Sequence, residues 1–270
     1  MGENMKKSLK KGISLMLGLS MALALFTSTT FESEAKTKKT QAKNNIVVVL
    51  DAGHDTTHLG CHYENFEEGL ANLYIAYYCK QELEKYSGVT VQMTRYSLEC
   101  PYGADPDSAN TCLKSRVDYA KNAKADVLIS LHNDYDPDLD KSQSGSKVII
   151  PNPNYKPQMY LQGTQLGQSI LSQLTATGLT VNNWKLCPTG TGIVTRDSGS
   201  GKYPDGSAKD YYALINQSKS ASIPCIIVEH AFCTNDSDRL NHLSTPEQYQ
   251  QLGIADATGI ANYYGLKLKK

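Results

Sequence analysis

Two histidines and several acidic residues occupy positions from which they could bind a metal ion. His54 follows the apolar run IVVVL, and His132 follows the apolar run VLISL. Imidazole nitrogens and one carboxylate oxygen are a favoured ligand set for catalytic zinc, which keeps its fourth position open for water. Glu67 and Glu68 open the next helical segment and could supply that carboxylate. Glu229, which ends the apolar run CIIV, is a further carboxylate that could transfer protons.

Each of these residues also has a structural interpretation. A single histidine after a strand is usually a capping or hydrogen-bonded side chain, and a glutamate such as Glu68 in a first helical turn interacts favourably with the helix dipole. Glu229 is harder to explain in this way, because a carboxylate that ends an apolar run is costly to bury unless it is paired or bound to a metal. Two histidines at equivalent strand ends favour the metal site.

The elements that must position these residues alternate along the chain. Apolar runs rich in β-branched residues predict strands at Ile46–Leu50, Val89–Thr94, Val127–Leu131, Lys147–Ile150 and Cys225–Val228. Helical periodicity predicts helices at Glu68–Tyr86, Leu113–Ala123, Met159–Thr177, Lys209–Ser220 and Pro246–Tyr264. The alternation predicts a three-layer α/β domain whose mixed, largely parallel central sheet is flanked by helices. Ligands bind such sheets at the carboxyl ends of the strands, where His54, His132 and Glu229 lie.

The N-terminal segment differs in composition from the rest of the chain. Four lysines between Lys6 and Lys11 precede the uncharged apolar run from Ile13 to Phe26, and a small-residue exit follows at Ala35. These parts predict a secretory signal peptide over residues 1–35, with an uncleaved N-terminal anchor as the alternative. Residues 36–45 are almost entirely polar and predict a flexible linker, which leaves residues 46–270 as one domain.

The charge balance excludes several classes of protein. The chain of 270 residues carries 27 basic and 27 acidic residues, so its formal net charge is zero. This balance argues against nucleic acid or an acidic membrane surface as a partner, because both are bound largely through excess basic charge. A mean hydropathy of -0.41 and 20% charged residues exclude a polytopic membrane protein and a fully disordered chain. After signal cleavage we expect a monomer that is not associated with a membrane.

The chain contains seven cysteines, and an exported protein can form disulfides. Cys100 and Cys112 bracket a segment rich in turn-forming residues, so a bridge between them is the favoured pairing. Cys79, Cys225 and Cys233 lie in apolar or periodic contexts that predict small buried side chains. No pair has a spacing such as CxxC, which argues against zinc binding by thiolates.

Five motifs resemble those of the zinc-dependent N-acetylmuramoyl-L-alanine amidases, which remove peptide stems from the glycan strands of bacterial peptidoglycan. They occur in order between Ile46 and about Leu266. The motifs are Asp51-Ala52-Gly53-His54, Glu68 four residues before Asn72, Thr94-Arg95, Ser130-Leu131-His132-Asn133, and the run from Val228 to Asn235 that reads VEHAFCTN. Each motif alone is weak, but together they cover most of the predicted domain.

The resemblance implies that His54, Glu68 and His132 hold a zinc ion and that Glu229 is the catalytic acid and base. Glu68 is preferred for its spacing to Asn72, with Glu67 and Glu64 as competitors. A basic residue in the region before Glu229 often faces the substrate in the family, which makes Arg196 a candidate to bind a carboxylate of the stem peptide.

The chain departs from the family pattern after His54. The family usually has two small residues there, whereas this chain has Asp55, Thr56, Thr57 and His58. His58 and His62 are therefore extra histidines, interpreted as solvated loop residues or as substrate contacts.

The resemblance implies a secreted cell-wall hydrolase, or autolysin, that cleaves the amide bond between N-acetylmuramic acid and L-alanine of peptidoglycan. Residues 46–270 would then form the catalytic zinc amidase domain. A zinc peptidase that cuts within the stem peptide is the alternative with the same chemistry. A wall-binding protein that kept the fold without turnover is the alternative from another class.

Overall fold

The apolar runs that predict strands form the central sheet of the computed structural model, which describes residues 45–103, 109–138, 141–182 and 190–270. The predicted signal peptide, and the predicted linker except for its last residue, lie outside the described residues. In chain order the described strands are β1 (Ile46–Ala52), β2 (His62–Tyr63), β3 (Phe66–Glu67), β4 (Tyr86–Ser87), β5 (Val89–Met93), β6 (Val127–Asp134), β7 (Lys147–Ile149), β8 (Ile193–Val194), β9 (Asp197–Lys202), β10 (Ala208–Asp210), β11 (Cys225–Phe232) and β12 (Lys267–Leu268). The described helices are α1 (Glu68–Leu83), α2 (Ala109–Asn122), α3 (Pro157–Ala176), α4 (Ala213–Ser220), α5 (Asp236–His242) and α6 (Pro246–Tyr264).

The central sheet has six strands in the order β5-β1-β6-β11-β7-β8. Strands β5, β1, β6 and β11 run parallel, β7 is antiparallel to β11, and β8 is parallel to β7. The sheet is therefore mixed and mostly parallel, as predicted. Its register places Glu229 of β11 beside His132 of β6 on one side and beside Lys147 of β7 on the other. Residues paired in this way project from the same face of a sheet.

Both faces of the sheet are covered by helices because its strands are apolar on both sides. Val48 and Leu50 belong to a core cluster with residues of α1, α3 and α6, whereas Val49 belongs to a second cluster with residues of α2 and α4. The alternation within IVVVL thus sends successive side chains into two different cores. This arrangement confirms the predicted three-layer α/β fold class.

Several predicted helix bounds are wrong at one end, and the structure gives the reasons. The first helix ends at Leu83 rather than at Tyr86, because Tyr86 and Ser87 pair with the C-terminal strand β12. The fourth helix begins at Ala213 rather than at Lys209, because residues 208–210 pair with β9 in a hairpin. Helix α5 was not predicted, although Asn235 caps it by accepting a hydrogen bond from the amide of Asp238.

The predicted disulfide between Cys100 and Cys112 is wrong for this structure. Their sulfurs are 3.6 Å apart and both residues are free thiols, whereas a disulfide requires about 2.05 Å. Proximity in sequence suggested the pair, but the structure instead joins Cys61 to Cys233 across a sequence separation of 172 residues. Cys233 is fully buried, as predicted, but it is not a free thiol.

A layer of buried charge lies at the carboxyl end of β1. Asp51 accepts hydrogen bonds from the Thr94 hydroxyl, the Ser130 hydroxyl and Arg116 Nη1, at 2.5, 2.7 and 2.7 Å. The buried Arg95 guanidinium donates to the carbonyls of Ala52, Gly53, Gly69 and Ser97. These contacts fix the backbone of the loop that carries His54.

Asp51 should stabilise the fold most at neutral pH. Burial alone would raise the pKa of Asp51, but Arg116 and the two hydroxyls outweigh it and lower the pKa from 3.8 to about 2. Its contribution is therefore complete above about pH 4 and is lost as the pH falls through about 2.

Asp51→Asn removes one of the two carboxylates that pair with the buried Arg116, so we expect a loss of about 3 kcal/mol in the free energy of unfolding at pH 7. Urea unfolding of wild type and variant at several pH values measures this loss, which should shrink between about pH 4 and pH 2. The exposed Asp118→Asn is the control and should change stability by no more than about 0.5 kcal/mol. A difference between Asp51→Asn and wild type that does not vary with pH would contradict the assignment.

Candidate metal centre and active site

His54 lies on the loop that leaves the end of β1. Its backbone has a φ of 60°, a conformation that is uncommon for a non-glycine residue and that turns the loop sharply. The Nδ1 atom lies 3.1 Å from the carbonyl oxygen of His58, which accepts the Nδ1–H of the neutral imidazole. The lone pair of Nε2 is then free to bind a metal, and Nε2 lies 3.4 Å from Oε2 of Glu68.

Glu68 is the first residue of α1, and the structure brings it, rather than Glu67 or Glu64, next to the histidines. Its side chain is only 4% exposed, and its Oε1 lies 3.1 Å from Nδ1 of His132. Glu67 is half-buried on β3, whereas Glu64 is exposed and pairs with Arg239. Among the three acidic candidates, Glu68 therefore has the geometry of a ligand.

Backbone and amide donors hold the Glu68 carboxylate in place. Oε2 accepts from the amide of Cys61 at 2.8 Å, and Oε1 accepts from the amide of Asn133 at 3.2 Å. Asn72, one turn along α1, also donates to Oε1 and accepts from the side chain of Asn133. The spacing between Glu68 and Asn72 thus has a physical reason, because both side chains meet the end of β6 from one face of the helix.

His132 projects from β6 towards the same point. Its ring and that of His54 are 4.9 Å apart between centroids and nearly perpendicular. The ligand atoms of His54, Glu68 and His132 all lie within 4.8 Å of one another. The parallel pairing of β1 and β6 aligns the carboxyl ends of the two strands. It therefore brings together two histidines that are far apart in sequence.

Two glycines make room for these side chains. A Cβ atom at Gly53 would lie 2.2 Å from Nε2 of His132, and one at Gly60 would lie 2.4 Å from Oε2 of Glu68. Real contacts of this kind are not that short, so a larger residue at either position would displace a donor atom. The sequence analysis missed Gly60, whose lack of a side chain leaves space for Glu68 and His54.

The electrostatics favour an anionic Glu68 between two imidazoles. Burial alone would raise the pKa of Glu68, but the hydrogen bond from His132 and the charge of both histidines outweigh it and lower the pKa to about 2. Burial also lowers the pKa of His54, against the opposing charge of Glu68. At His132 the same burial is outweighed by Glu68, which raises the pKa of that histidine.

Glu229 lies across the cleft, next to His132 in the strand register. Its Oε2 is buried and has no hydrogen-bond partner among the described residues. Burial, reinforced by the charge of Asp134, raises the pKa of Glu229 to about 7. Lys147 opposes this increase and forms an ion pair with Asp134. A carboxyl with a pKa near neutrality can both accept and donate a proton at neutral pH.

His230, the residue after Glu229, points away from the cleft into the helical layer. Its Nδ1 donates to the carbonyl oxygen of His132 at 2.7 Å, and its Nε2 lies 2.8 Å from Oδ2 of Asp256 on α6. Both side chains are fully buried. Burial alone would lower the pKa of His230, but Asp256 outweighs it and raises the pKa. The alternation of β11 thus links the backbone of His132 to the last helix, a contact the sequence analysis missed.

A cleft of about 540 Å³ opens above these residues. It is lined by His54, Leu59, Gly60, Cys61, His62, Glu68, His132, Asn133, Asp134, Tyr135 and Glu229. The disulfide from Cys61 to Cys233 fastens one rim of the cleft to the end of β11. The cleft therefore contains every predicted metal-binding residue together with Glu229.

Of the remaining predicted residues, His62 lines the cleft, and His58 and Arg196 do not. His62 is exposed and lines the cleft, whereas His58 is half-buried and lies 3.1 Å from Asp55 rather than in solvent. Arg196 does not belong to the cleft lining. Its guanidinium lies over the Tyr211 ring, 3.5 Å from the ring centroid, and opposes the increase in the pKa of Tyr212, which burial and the charge of Glu229 raise to about 12.

The donor set fits a zinc ion. Two imidazole nitrogens and one carboxylate oxygen converge from three elements, and the cleft leaves space on the remaining side for further ligands. Support of Glu68 by the amides of Cys61 and Asn133 is the kind of outer hydrogen bonding that orients metal ligands.

The fold is that of solved amidase catalytic domains. The catalytic domain of CwlV from Bacillus (Paenibacillus) polymyxa var. colistinus is similar with a TM-score of 0.59 and 20% identity, over 82% of this chain and 99% of that one. The CwlD amidase from Clostridioides difficile, solved in complex with the GerS lipoprotein, has a TM-score of 0.61 and 20% identity over 82% and 99%. Ami1 from Mycobacterium smegmatis has a TM-score of 0.61 and 18% identity over 83% and 98%.

At these identities the solved structures establish the fold alone, and the sequence itself establishes the family. Residues 48–262 match the model of the N-acetylmuramoyl-L-alanine amidase family. The chain therefore belongs to this family of peptidoglycan hydrolases, as its motifs predicted. No curated protein sequence matches the chain significantly. None of the described helices has the length and apolar character needed to span a membrane.

Gly53→Ala should weaken metal binding without unfolding the protein. The new Cβ would occupy the space of the His132 ring, so we expect zinc affinity to fall at least about 10-fold to 100-fold, as when the support of a metal ligand is disturbed. A chelator competition titration measures the affinity, and circular dichroism reports the fold.

Gly199→Ala is the matched control, because its Cβ would meet no described atom within 4 Å. It should bind zinc as the wild type does. Equal affinities for the wild type and Gly53→Ala would show that His132 does not need its present position to hold the metal.

Proposed function

We propose that this protein is a zinc-dependent amidase that hydrolyses the bond between N-acetylmuramic acid and L-alanine in peptidoglycan. His54, Glu68 and His132 hold the zinc ion, and Glu229 is the catalytic acid and base. The observation that carries the proposal is the convergence of three donors, within 4.8 Å of one another, in the cleft that Glu229 also lines. Membership of the amidase family supports the substrate class.

The tautomers of the two histidines follow from their contacts. His54 donates Nδ1–H to the His58 carbonyl and presents Nε2, whereas His132 would bind the metal through Nδ1, the atom that otherwise hydrogen-bonds Glu68, with its proton on Nε2. Glu68 contributes a negative charge that Cys61, Asn72 and Asn133 hold in one orientation. When bound, zinc supplies Lewis-acid polarisation of the scissile carbonyl and makes water a stronger nucleophile near neutral pH.

Glu229 moves the protons of the reaction. Its Oε2, which has no partner among the described residues, accepts a proton from the attacking water. The same carboxyl then donates this proton to the nitrogen of the departing L-alanine, which leaves as a neutral amine. Asp134 and Lys147 flank Glu229 with opposite charges, and burial keeps its pKa near neutrality, so both transfers are possible at neutral pH.

Arg196 is proposed to contact the stem peptide from beside the metal site. Its guanidinium is held flat against Tyr211 and near Tyr212, which restricts its side-chain freedom. A fixed planar cation suits a peptide carboxylate. Export by the predicted signal peptide, residues 1–35, would bring the enzyme to its substrate in the cell wall.

Mass analysis of the fragments released from purified peptidoglycan tests the proposal. The expected products are stem peptides with a free L-alanine amino group and glycan strands whose muramic acid has a free lactyl carboxyl. Muramoyl peptides shortened within the stem would instead identify a peptidase. Binding to peptidoglycan without any release, in a zinc-loaded protein, would identify a wall-binding protein.

Glu229→Gln should separate proton transfer from metal binding. Amidase activity should fall by at least about 100-fold to 10,000-fold, because the carboxamide cannot act as a base, whereas zinc content should stay at the wild-type level. Loss of zinc together with activity would make Glu229 a ligand instead.

Glu68→Gln and Glu67→Gln form a matched pair of adjacent substitutions for the ligand assignment. We expect Glu68→Gln to lose zinc and Glu67→Gln to keep both zinc and activity, since only Glu68 reaches the histidines. The opposite result would transfer the ligand role to Glu67.

A further inference from the structure

A second cluster of potential metal ligands lies between the loop that carries His54 and the start of α2. It consists of Asp55, His58, Cys100 and Cys112, whose candidate ligand atoms all lie within 4.8 Å of one another. Asp55 and Cys112 are buried, and His58 and Cys100 are half-buried. None of the four lines the cleft of the proposed active site, so the cluster is a separate feature.

Two of the six distances between the donor atoms are close to the edges of a tetrahedral zinc site, and all six are below 4.8 Å. The two sulfurs are 3.6 Å apart, far beyond a disulfide bond, and zinc–sulfur distances of about 2.3 Å give a tetrahedral edge of about 3.8 Å. His58 Nδ1 lies 3.1 Å from Asp55 Oδ1, close to the edge of about 3.4 Å that zinc–nitrogen and zinc–oxygen bonds imply. Two thiolates, one imidazole and one carboxylate are all ligands that zinc accepts.

The surrounding charges are compatible with a bound dication. Asp51 and Asp55 are balanced by the guanidiniums of Arg95 and Arg116, and Arg116 pairs directly with both carboxylates. Binding of Zn²⁺ releases the protons of Cys100 and Cys112, so two new negative charges are offset by the two positive charges of the metal. Arg116 Nε also lies 3.4 Å from Cys112 Sγ and can donate to a thiolate there.

We propose that Asp55, His58, Cys100 and Cys112 bind a second zinc ion whose role is structural. All four positions are taken by protein atoms, which is the arrangement of structural rather than catalytic zinc. The absence of a CxxC spacing argued against thiolate ligation from sequence, but the ligands come from three places, the loop after β1, the loop after β5 and α2, that only the fold brings together. This site replaces the two small residues that the family usually has after His54 with a metal-binding turn.

The second zinc would fix the position of a catalytic ligand. His58 provides both an imidazole to this cluster and the carbonyl that accepts from His54 Nδ1, 3.1 Å away. Cys112 belongs to the first turns of α2, so the metal would fasten the His54 loop to that helix. Its loss should therefore loosen the loop without removing any proposed ligand of the catalytic zinc.

Cobalt substitution tests the proposal, because the proposed catalytic ligands include no sulfur. Metal-depleted full-length protein reloaded with Co²⁺ should show a thiolate-to-cobalt charge-transfer band. The double variant Cys100→Ala/Cys112→Ala should lose the band and one metal equivalent per chain. Cys225→Ala, which removes another buried free thiol, should keep both.

His54→Ala separates this inference from the proposed function, since it should lose the catalytic metal and retain the band. It also keeps both cysteines, so the test does not depend on the folding of the double variant. Cysteine mapping of the zinc-loaded protein as isolated should find Cys100 and Cys112 as thiols. A bridge between them, or a charge-transfer band that is absent from the wild type, would overturn the second zinc site.

Discussion

The buried carboxylate of Glu68 is the constraint on which the arrangement of the site depends. A carboxylate that is only 4% exposed needs hydrogen bonds and opposite charges to offset its loss of hydration. Here they come from the amides of Cys61 and Asn133 and from both histidines. Each of these partners has to be in place for the charge to be tolerated. The loop at Gly60 and Cys61, the start of α1 and the end of β6 are therefore positioned together, by one anion.

A second set of buried charged side chains, at the end of β1, supports the loop that carries His54. Arg95 and Arg116 are almost fully buried and direct their donors to backbone carbonyls and to Asp51 and Asp55 at the end of β1. Because a guanidinium offers five donors in a rigid plane, each arginine fixes several backbone atoms at once. The unusual φ of His54 is stable in this setting, since the carbonyls on either side of it are held. The proposed second zinc would reinforce the same turn.

The strands and most of the candidate site could be predicted because they depend on local patterns. His54, His132 and Glu229 follow apolar runs, and parallel strands align their carboxyl ends whatever lies between them. The choice of Glu68 over Glu67 needed the position of Asn72, since residues four apart on a helix share a face and the helix begins at Glu68.

Other features could not be predicted, because they depend on contacts between distant segments. The Cys61–Cys233 bond spans 172 residues, and nothing local distinguishes it from the nearer pair at Cys100 and Cys112. The space required at Gly60 depends on where Glu68 and His54 meet. The predicted helix bounds were wrong where the end residues pair in strands instead, as at Tyr86 and at residues 208–210.

The contact between His230 and Asp256 has a consequence for how the protein is made. All four proposed site residues have been synthesised once the chain reaches Glu229, but the imidazole that supports the His132 carbonyl has its counterion on α6. Until that helix docks, His230 lacks its acidic partner. A chain truncated before Pro246 would contain the whole ligand set and still be incompletely assembled. Assembly of the site thus depends on a helix that contributes none of its proposed ligands.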